Sequence, residues 1–226
     1  MPVYYAAQLT LPIFLEYPTY FNPRVFVFIR HKCIFSHKSN NYTKRDLKKE
    51  IKMQLKEIEA IIRDIPDFPE KGIIFKDITP VLQSPEAFKT VIDMMCAPYR
   101  NKQIDAIAGI ESRGFIFGAA MALELNCAFV PIRKKGKLPY KTIEKSYSLE
   151  YGTATIELHT DAVSKGDKVV IVDDLLATGG TAAAAIALVE KLEAEVVAVS
   201  FMIELVFLSG KDKLPEDIVS SLIKVN

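Results

Sequence analysis

The chain has 226 residues, of which 50% are hydrophobic, and this suffices for one well-buried α/β domain, with or without a small appendage, but not for two full domains. Its 29 Lys and Arg residues are nearly balanced by 28 Asp and Glu residues, so no overall charge attracts nucleic acid or an anionic membrane, and we expect neither as a partner. Its 3 cysteines are far apart, which argues against a disulfide framework or a zinc knuckle and favours a reduced, cytoplasmic protein.

Residues 1–45 differ in composition from the rest of the chain. Glu16 is their only acidic residue, against six Lys and Arg residues, and they show no clear amphipathic period. An acid-poor leader can be an organellar transit peptide, but this one has little Ser and Arg in its first half and no small-residue cleavage site after an apolar core. We therefore predict an N-terminal extension over 1–45, poorly ordered and with organellar targeting as the minor alternative, followed by one domain over 46–226.

Helical spacing of Ile and Leu begins near Asp46 and predicts an amphipathic helix that ends at Pro66. A second helix is predicted from Ser84, because Ser is a good N-cap and Pro85 suits the first helical position. The apolar face of this second helix consists of Phe88, Val91, Ile92 and Met95.

Short apolar runs then alternate with helical segments. Strands are predicted over Ile104–Ile110, Cys127–Arg133, Lys168–Asp174 and Glu195–Ile203, and helices over Gly114–Leu125 and Gly180–Leu192. Continuous apolar strands that alternate with helices indicate an α/β fold with a parallel sheet covered on both faces. Ligands of such sheets bind beyond the carboxyl ends of the strands. The segment Lys134–Thr160 breaks the rhythm and predicts a loop and an antiparallel hairpin flap.

A glycine-rich loop follows the third predicted strand. Its residues are Ala177, Thr178, Gly179, Gly180 and Thr181. The glycines let backbone N–H groups turn toward an anion, and the threonines add hydroxyl donors where the next helix begins. The loop has neither the Gly-Lys-Ser/Thr of a Walker A motif nor the spacing of a dinucleotide fingerprint. It is therefore a candidate cradle for a phosphomonoester.

Asp173 and Asp174 end the strand that leads into this loop. Each carboxylate can accept two hydroxyl hydrogen bonds, as the 2′- and 3′-hydroxyls of a ribose require. The alternative is that both are ordinary polar residues at a strand end and that the glycines only make a tight turn. The apolar run Val169–Val172 directly before the pair, with a helix directly after the loop, favours the functional interpretation.

This segment resembles the motif with which type I phosphoribosyltransferases bind phosphoribosyl pyrophosphate (PRPP), and the resemblance narrows to the adenine phosphoribosyltransferase family from about Ile58 to the C terminus. Asp67–Ile78 resembles that family's purine-contacting segment, Glu111–Phe115 its pyrophosphate-binding turn, Ile132–Pro139 its basic loop and Ser146–Gly152 its mobile lid. The resemblance implies the type I fold, in which a central, mainly parallel sheet is flanked by helices and carries a small hood and a hairpin flap. The extension lies outside the match.

The resemblance also implies the reaction: transfer of the phosphoribosyl group of PRPP to adenine, giving AMP and pyrophosphate, in purine salvage. Mg²⁺ is expected to be carried by PRPP rather than bound directly by protein side chains, and the protein is expected to be a homodimer. The implied contacts with PRPP are Asp173, Asp174 and the loop Ala177–Thr181, those with pyrophosphate are Arg113, Arg133, Lys134 and Lys137, and those with adenine are Ile74, Phe75, Lys76 and Leu205. Without the resemblance, the basic residues would form a solvated turn, and Phe75 and Leu205 would belong to the core.

Ala177 separates the purine classes, because hypoxanthine-guanine enzymes of the family carry at this position an Asp that accepts a proton, which alanine cannot do. Glu150 in the lid, next to Tyr151, is the candidate catalytic residue. The adenine family uses the Glu of this motif, and a closing lid would desolvate the carboxyl and raise its pKa toward neutrality. On its own, Glu150 would be interpreted as an exposed strand carboxylate.

Two other functions are open at this point. The chain could transfer the phosphoribosyl group to another base, such as xanthine, or it could be a regulator that senses PRPP and has lost catalysis. Ala177 together with Glu150 and the intact lid disfavours both, and no DNA-binding motif accompanies the domain.

Overall fold

A computed structural model describes residues 55–148 and 152–226. The predicted extension over 1–45 lies outside these stretches, and so do Glu150 and Tyr151 of the predicted lid. Within the two described stretches, no helix combines the length and the apolar character needed to cross a membrane.

The first described elements form a helix and a small hairpin. Helix α1 is described over residues 55–61, and strands β1 (Arg63–Pro66) and β2 (Ile74–Asp77) pair antiparallel in a separate two-stranded sheet, here called the hood. The predicted helix end at Pro66 is therefore wrong, because Ile65 lies in β1 opposite Phe75. Pairing with β2 outweighs the local helical preference of these residues. The spacing of apolar residues carries no information about such a pairing partner.

The remaining helices are short. They are α2 (Thr79–Gln83), α3 (Pro85–Cys96), α4 (Gly114–Leu125) and α5 (Gly180–Lys191). The predicted cap of α3 is confirmed, since the Ser84 hydroxyl oxygen accepts a hydrogen bond of 3.3 Å from the backbone N–H of Ala87. The bounds predicted for α4 are those observed, whereas α2 was not predicted.

A seven-stranded sheet forms the centre of the domain. Its strands are β3 (Ala106–Ile110), β4 (Ala128–Lys134), β5 (Thr142–Ser148), β6 (Thr153–His159), β7 (Lys168–Leu176), β8 (Glu195–Leu205) and β9 (Val219–Val225). Their order is β5-β6-β4-β3-β7-β8-β9; β4, β3, β7, β8 and β9 are parallel, and β6 and β5 add antiparallel pairs at one edge. This confirms the predicted mainly parallel sheet and the hairpin flap, which consists of β5 and β6.

Both faces of the sheet are covered, which explains the continuous apolar runs. In β7, Val169 and Ile171 belong to the core on the side of α5, and Val170 and Val172 belong to the core on the side of α3 and α4. All four side chains are fully buried. A strand buried on both faces needs apolar residues at every position rather than at alternate ones.

Three neighbouring parallel strands end at the same edge of the sheet, and their connecting segments carry the predicted site. The turn Glu111–Arg113 follows β3, the phosphate loop Ala177–Gly179 follows β7, and the short 3₁₀ helix Val206–Leu208 follows β8. Parallel pairing therefore brings together segments that are far apart in the sequence.

Candidate active site

The phosphate loop lies between β7 and α5. The strand runs two residues beyond the predicted end at Asp174, and α5 begins at Gly180 with Gly179 as its N-cap in the left-handed region, at φ 76°. Leu175–Ala182 line a recess together with Asp173 and Phe201. The predicted loop residues thus surround a helix N terminus, where free backbone N–H groups and the helix dipole favour an anion.

The backbone of Gly210 packs directly against this loop. A Cβ atom on Gly179 would clash with the carbonyl oxygen of Gly210, and a Cβ on Gly210 would clash with the carbonyl oxygen of Ala177. Gly210 is buried and begins the second 3₁₀ helix after β8, Gly210–Lys213. The close approach of two backbones explains why glycine is required at both positions.

The two strand-end carboxyls differ in their surroundings. Asp174 is buried and its Oδ2 lies 2.9 Å from Nε of Arg113, whereas its backbone N–H donates a 2.9 Å hydrogen bond to Oδ1 of Asp173. Asp173 keeps some exposure, but desolvation, followed by the like charge of Asp174, raises the pKa of its carboxyl well above the ordinary value. Arg113 therefore balances the charge of Asp174, whereas the surroundings of Asp173 favour the protonated form of its carboxyl.

Arg113 connects the sheet edge to the hood. It follows β3 directly before α4, it pairs with Asp174, and its guanidinium carbon lies 5.0 Å from the ring centroid of Phe75. This distance is within the range of a cation–π contact. Arg113, which is predicted to bind pyrophosphate, is thus in contact with Phe75, which is predicted to bind adenine. The ring of Phe68 packs edge to face against the ring of Phe75, with 5.2 Å between the ring centroids.

The basic loop, predicted over Ile132–Pro139, is held by hydrogen bonds to the turn after β3. Arg133 donates from Nε and Nη2 to the two oxygens of Glu111, at 3.2 and 3.0 Å, and from Nη1 to the carbonyl oxygen of Lys137 at 2.9 Å. The backbone N–H of Lys134 adds a 3.0 Å hydrogen bond to Glu111. The hydrogen bonds from Arg133 lower the pKa of Glu111. The side chains of Lys134 and Lys137 are exposed.

Glu157 of β6 holds the same loop from the other side. Its Oε1 accepts hydrogen bonds of 2.8 Å from the backbone N–H groups of both Lys137 and Leu138, and the Thr142 hydroxyl lies 3.5 Å from Oε2. The residue is only 4% exposed. Burial acts to raise the pKa of Glu157, but the hydrogen bonds from the backbone N–H groups of the loop outweigh it and lower the pKa.

The predicted adenine residues lie on two elements. Ile74, Phe75 and Lys76 form β2 of the hood, where Ile74 is exposed and Nζ of Lys76 lies 2.6 Å from Oδ1 of Asp64. Leu205 ends β8 and packs partly buried against the core below. The hood and the end of β8 therefore supply apolar side chains at the carboxyl edge of the sheet.

The flap hairpin reaches the phosphate loop. A Cβ atom on Gly180 would lie 3.3 Å from the ring of Tyr147 and 3.4 Å from the carbonyl oxygen of Ser148, the last residue of β5. The lid residues Glu150 and Tyr151 follow directly after this contact, outside the described residues. The end of β5 that leads into the lid thus packs against the start of α5.

Side chains that could bind a metal ion or act as a thiol nucleophile are the remaining candidates for chemistry in the described residues. Within residues 55–148 and 152–226, no group of three or more His, Cys, Asp or Glu side chains is placed to hold a metal ion. Cys96 and Cys127 are free thiols, and burial raises the pKa of Cys96 to about 11, so this thiol is not a nucleophile.

Glu157 and Gly210 were not predicted as parts of the site. Glu157 stands in a strand with alternating polarity, between Ile156 and Leu158, and such a pattern places the polar residue on the solvent face. Gly210 follows Ser209 in an ordinary turn sequence. The partners of both residues come from segments far away in the chain, so no local signal could have identified them.

Comparison with known proteins agrees with the geometry. The family described as Phosphoribosyl transferase domain matches residues 77–219. The adenine phosphoribosyltransferase of Acidothermus cellulolyticus is 55% identical over 168 residues, which are 74% of this chain and 95% of that protein.

Two crystal structures of adenine phosphoribosyltransferases are similar over most of the domain. The structure from Thermoanaerobacter pseudethanolicus has a TM-score of 0.74 and 53% identity, and the match covers 76% of this chain and 99% of that one. The structure from Saccharomyces cerevisiae is a complex with adenine and an imino-altritol bisphosphate. It has a TM-score of 0.72 and 41% identity, and the match covers 76% of this chain and 99% of that one. The chain therefore belongs to the phosphoribosyltransferase family and, within it, to the adenine phosphoribosyltransferases.

Proposed function

We propose that this chain transfers the 5-phosphoribosyl group of PRPP to adenine, releasing pyrophosphate and forming AMP for purine salvage. The observation that carries the proposal is the convergence of the Asp173–Asp174 pair, the phosphate loop and Arg113 at one edge of the sheet. The pair, the loop and the arginine suit the ribose hydroxyls, the 5′-phosphate and the pyrophosphate of one substrate. The high identity to adenine phosphoribosyltransferases supports adenine as the acceptor.

The phosphate loop is proposed to hold the 5′-phosphate. Backbone N–H groups at the start of α5 and the hydroxyls of Thr178 and Thr181 would donate to the phosphate oxygens. Asp173 and Asp174 would accept hydrogen bonds from the ribose hydroxyls. These contacts fix the anomeric carbon in one place, which removes much of the entropic cost of bringing the reactants together.

The pyrophosphate is proposed to bind between Arg113 and the basic loop. Arg113 stands beside Asp174, so its guanidinium is near the ribose end of the substrate. Lys134 and Lys137 present exposed ammonium groups from the loop, and Arg133 would take part while it is held by Glu111 and Lys137. Positive charge at this place stabilises the negative charge that develops on the leaving group.

Adenine is proposed to stack between Phe75 of the hood and Leu205 at the end of β8, with Ile74 and Lys76 beside Phe75 along β2. Flat apolar surfaces on both sides bury the ring and orient N9 toward the anomeric carbon. Glu150 is proposed as the group that exchanges a proton with the purine, since Ala177 has no ionisable side chain. Tyr151 would close with it over the site, and the closed lid would exclude water that otherwise hydrolyses PRPP.

Mg²⁺ is proposed as the cofactor. The described residues fit an ion that arrives with PRPP, because Asp173 and Asp174 offer hard oxygen atoms beside the place proposed for the ribose hydroxyls. When bound, the ion would neutralise charge on the pyrophosphate and so make it a better leaving group. Holding the ribose and the pyrophosphate remains the work of the chain's own residues.

We further propose a cytoplasmic homodimer. Ile116 and Leu123 lie seven positions apart on α4, which places them on the same side of the helix, and both are exposed, so that α4 offers an apolar surface for a second copy. A part of the basic loop is expected to reach toward the neighbouring site. The free thiols Cys96 and Cys127 are typical of proteins from a reducing compartment.

The reaction is tested with the full chain, adenine, PRPP and Mg²⁺. Chromatography should show AMP and pyrophosphate forming in equal amounts, and the reverse reaction should give adenine from AMP and pyrophosphate. PRPP binding by calorimetry without any AMP formation would contradict the proposal and would indicate a PRPP sensor.

A further inference from the structure

Glu157 is buried and makes specific hydrogen bonds, but the proposed reaction assigns it no role. It is one of four polar or charged residues described as buried, together with Asp174, Ser200 and Glu204. A charged carboxylate is costly to bury unless it is hydrogen bonded, so its partners indicate what it does. These partners are two successive backbone N–H groups, those of Lys137 and Leu138, and both donate to the same oxygen.

The backbone of Lys137 is held from two sides. Its N–H donates to Glu157, and its carbonyl oxygen accepts from Nη1 of Arg133 at 2.9 Å. Arg133 and Glu157 stand opposite each other on the paired strands β4 and β6. The antiparallel pairing therefore sets the distance between the two side chains, and the two side chains in turn set the path of the loop.

The arginine that completes this arrangement is itself fastened to the turn that precedes α4. Nε and Nη2 of Arg133 donate to the two oxygens of Glu111, which stands two positions before Arg113. Glu157, the basic loop and the predicted pyrophosphate-binding turn are thus connected by successive hydrogen bonds. A shift of the loop would be transmitted to both groups of pyrophosphate-binding residues.

We infer that Glu157 is a positioning residue for pyrophosphate: its buried carboxylate fixes the backbone of Lys137 and Leu138 and so presents the side chains of Lys134 and Lys137 to the leaving group. The inference rests on the proposed role of the basic loop. Glu157 itself does not touch a substrate, because its Oε1 is taken by the loop and its Oε2 faces Thr142.

The chain offers a matched control on the same hairpin. Glu144 stands directly opposite Glu157 on β5, and its carboxylate contacts the loop only through the exposed side chain of Lys135, at 2.7 Å. A pair of exposed ions contributes little, so Glu144→Leu should leave loop geometry and kinetics unchanged. Glu157→Leu removes the buried acceptor of two backbone N–H groups, whereas Glu144→Leu removes only the partner of an exposed lysine.

The test measures the reverse reaction, in which pyrophosphate and AMP are separate substrates. Glu157→Leu is expected to raise the KM for pyrophosphate by about tenfold or more, because two charge-assisted hydrogen bonds are lost, with the KM for AMP within about threefold of wild type. Glu157→Gln keeps a carbonyl oxygen for both donors and should raise the KM for pyrophosphate only about threefold. A graded response of one KM is not expected from a general loss of structure.

An unchanged KM for pyrophosphate in Glu157→Leu, or an equal rise in both KM values, would overturn the inference. If Glu157→Leu does not fold, Glu157→Gln decides, and an unchanged KM for pyrophosphate in that variant overturns it too. The double variant Lys134→Ala/Lys137→Ala tests the loop itself. If the double variant leaves the KM for pyrophosphate unchanged, the proposed role of the basic loop is contradicted. If the double variant raises this KM and Glu157→Leu does not, only the positioning role of Glu157 is overturned.

Discussion

The sheet edge and the flap contribute to the site in different ways. At the sheet edge, Asp173 and Asp174 are short side chains within the last residues of the buried strand β7, and the phosphate loop follows directly after it. On the flap side, the exposed lysines of the basic loop are set in place by carboxylates from other elements, the half-buried Glu111 and the buried Glu157. Groups held by a buried strand are expected to move little when substrate binds, whereas a loop held by a few hydrogen bonds can adjust its position.

This difference predicts different kinetic effects. Groups on the sheet edge are expected to act mainly on the binding of PRPP, and the lid is expected to act mainly on turnover. Interactions present equally in the ground state and the transition state change KM, and those made only in the transition state change kcat. Substitutions in the two regions therefore separate the two contributions.

The largest effect is expected in the lid. Glu150→Gln removes the ionisable proton but keeps the size of the side chain, and kcat should fall by about 10² or more, as is typical for a general acid–base group. The KM for PRPP should change little. Steady-state kinetics with Glu144→Gln as an exposed control on the same hairpin measures this. Turnover within about threefold of wild type would place the acid–base group elsewhere.

The next largest effect is expected at the carboxyl pair. Asp174→Asn loses the charge that faces Arg113, and both Asp173→Asn and Asp174→Asn are expected to weaken the proposed hydrogen bonds to the ribose. The KM for PRPP should rise by about tenfold or more in Asp174→Asn, which loses hydrogen bonds to a charged group, and also in Asp173→Asn, whose amide offers one acceptor oxygen instead of two, while the fold is retained. The exposed Asp212→Asn serves as control in the same kinetic assay. Wild-type use of PRPP by both variants would show that the pair is only structural.

A smaller effect, on both stability and binding, is expected behind the phosphate loop. Gly210→Ala places a methyl group against the carbonyl oxygen of Ala177, so the loop has to move. We expect a loss of about 1–3 kcal/mol in the free energy of unfolding, as for other overpacked sites, and a raised KM for PRPP. Denaturant titration and kinetics test this against Ser209→Ala, the exposed neighbour. Equal behaviour of the two variants would remove Gly210 from the site.

The smallest effect concerns the pH dependence of stability. The folded-state pKa of Asp173 is raised, so its stabilising contribution is present below the unfolded pKa of about 3.9 and is lost as pH rises through the folded value. Asp173→Asn cannot ionise and escapes this loss. Its Tm relative to wild type should therefore increase with pH between acid and neutral conditions in calorimetric scans. A difference that decreases with rising pH would contradict the assigned direction.

Much of the fold follows from the sequence because its signals are local. Apolar runs predicted the inner strands, Ser84 with Pro85 predicted the start of α3, and the glycine-rich segment predicted the loop between β7 and α5. The strand β1 was predicted as helix because Ile65 continues a helical period, and its partner Phe75 lies ten residues further along. β9 was not predicted, since an edge strand with exposed positions carries a weak apolar signal.

The candidate site was likewise predicted from local motifs, but the contacts between those motifs were not. Motif residues such as Asp174 and Arg113 were identified separately, but their 2.9 Å contact, and the contact of Arg113 with Phe75, depend on how β3, β7 and the hood meet. Glu157 escaped notice because strand alternation predicts only which face a residue occupies, and the basic loop covers that face. The roles of Glu150 and Tyr151 stay predictions.

The proposed function requires that the site selects adenine as the acceptor of the phosphoribosyl group. Pyrophosphate release should be measured with PRPP and Mg²⁺ against adenine, hypoxanthine, guanine and xanthine. We predict a kcat/KM for adenine at least about 10² above that for each other base, the discrimination expected of a pocket that matches the polar groups of its substrate. Equal or better use of hypoxanthine, guanine or xanthine would contradict the proposed selectivity for adenine.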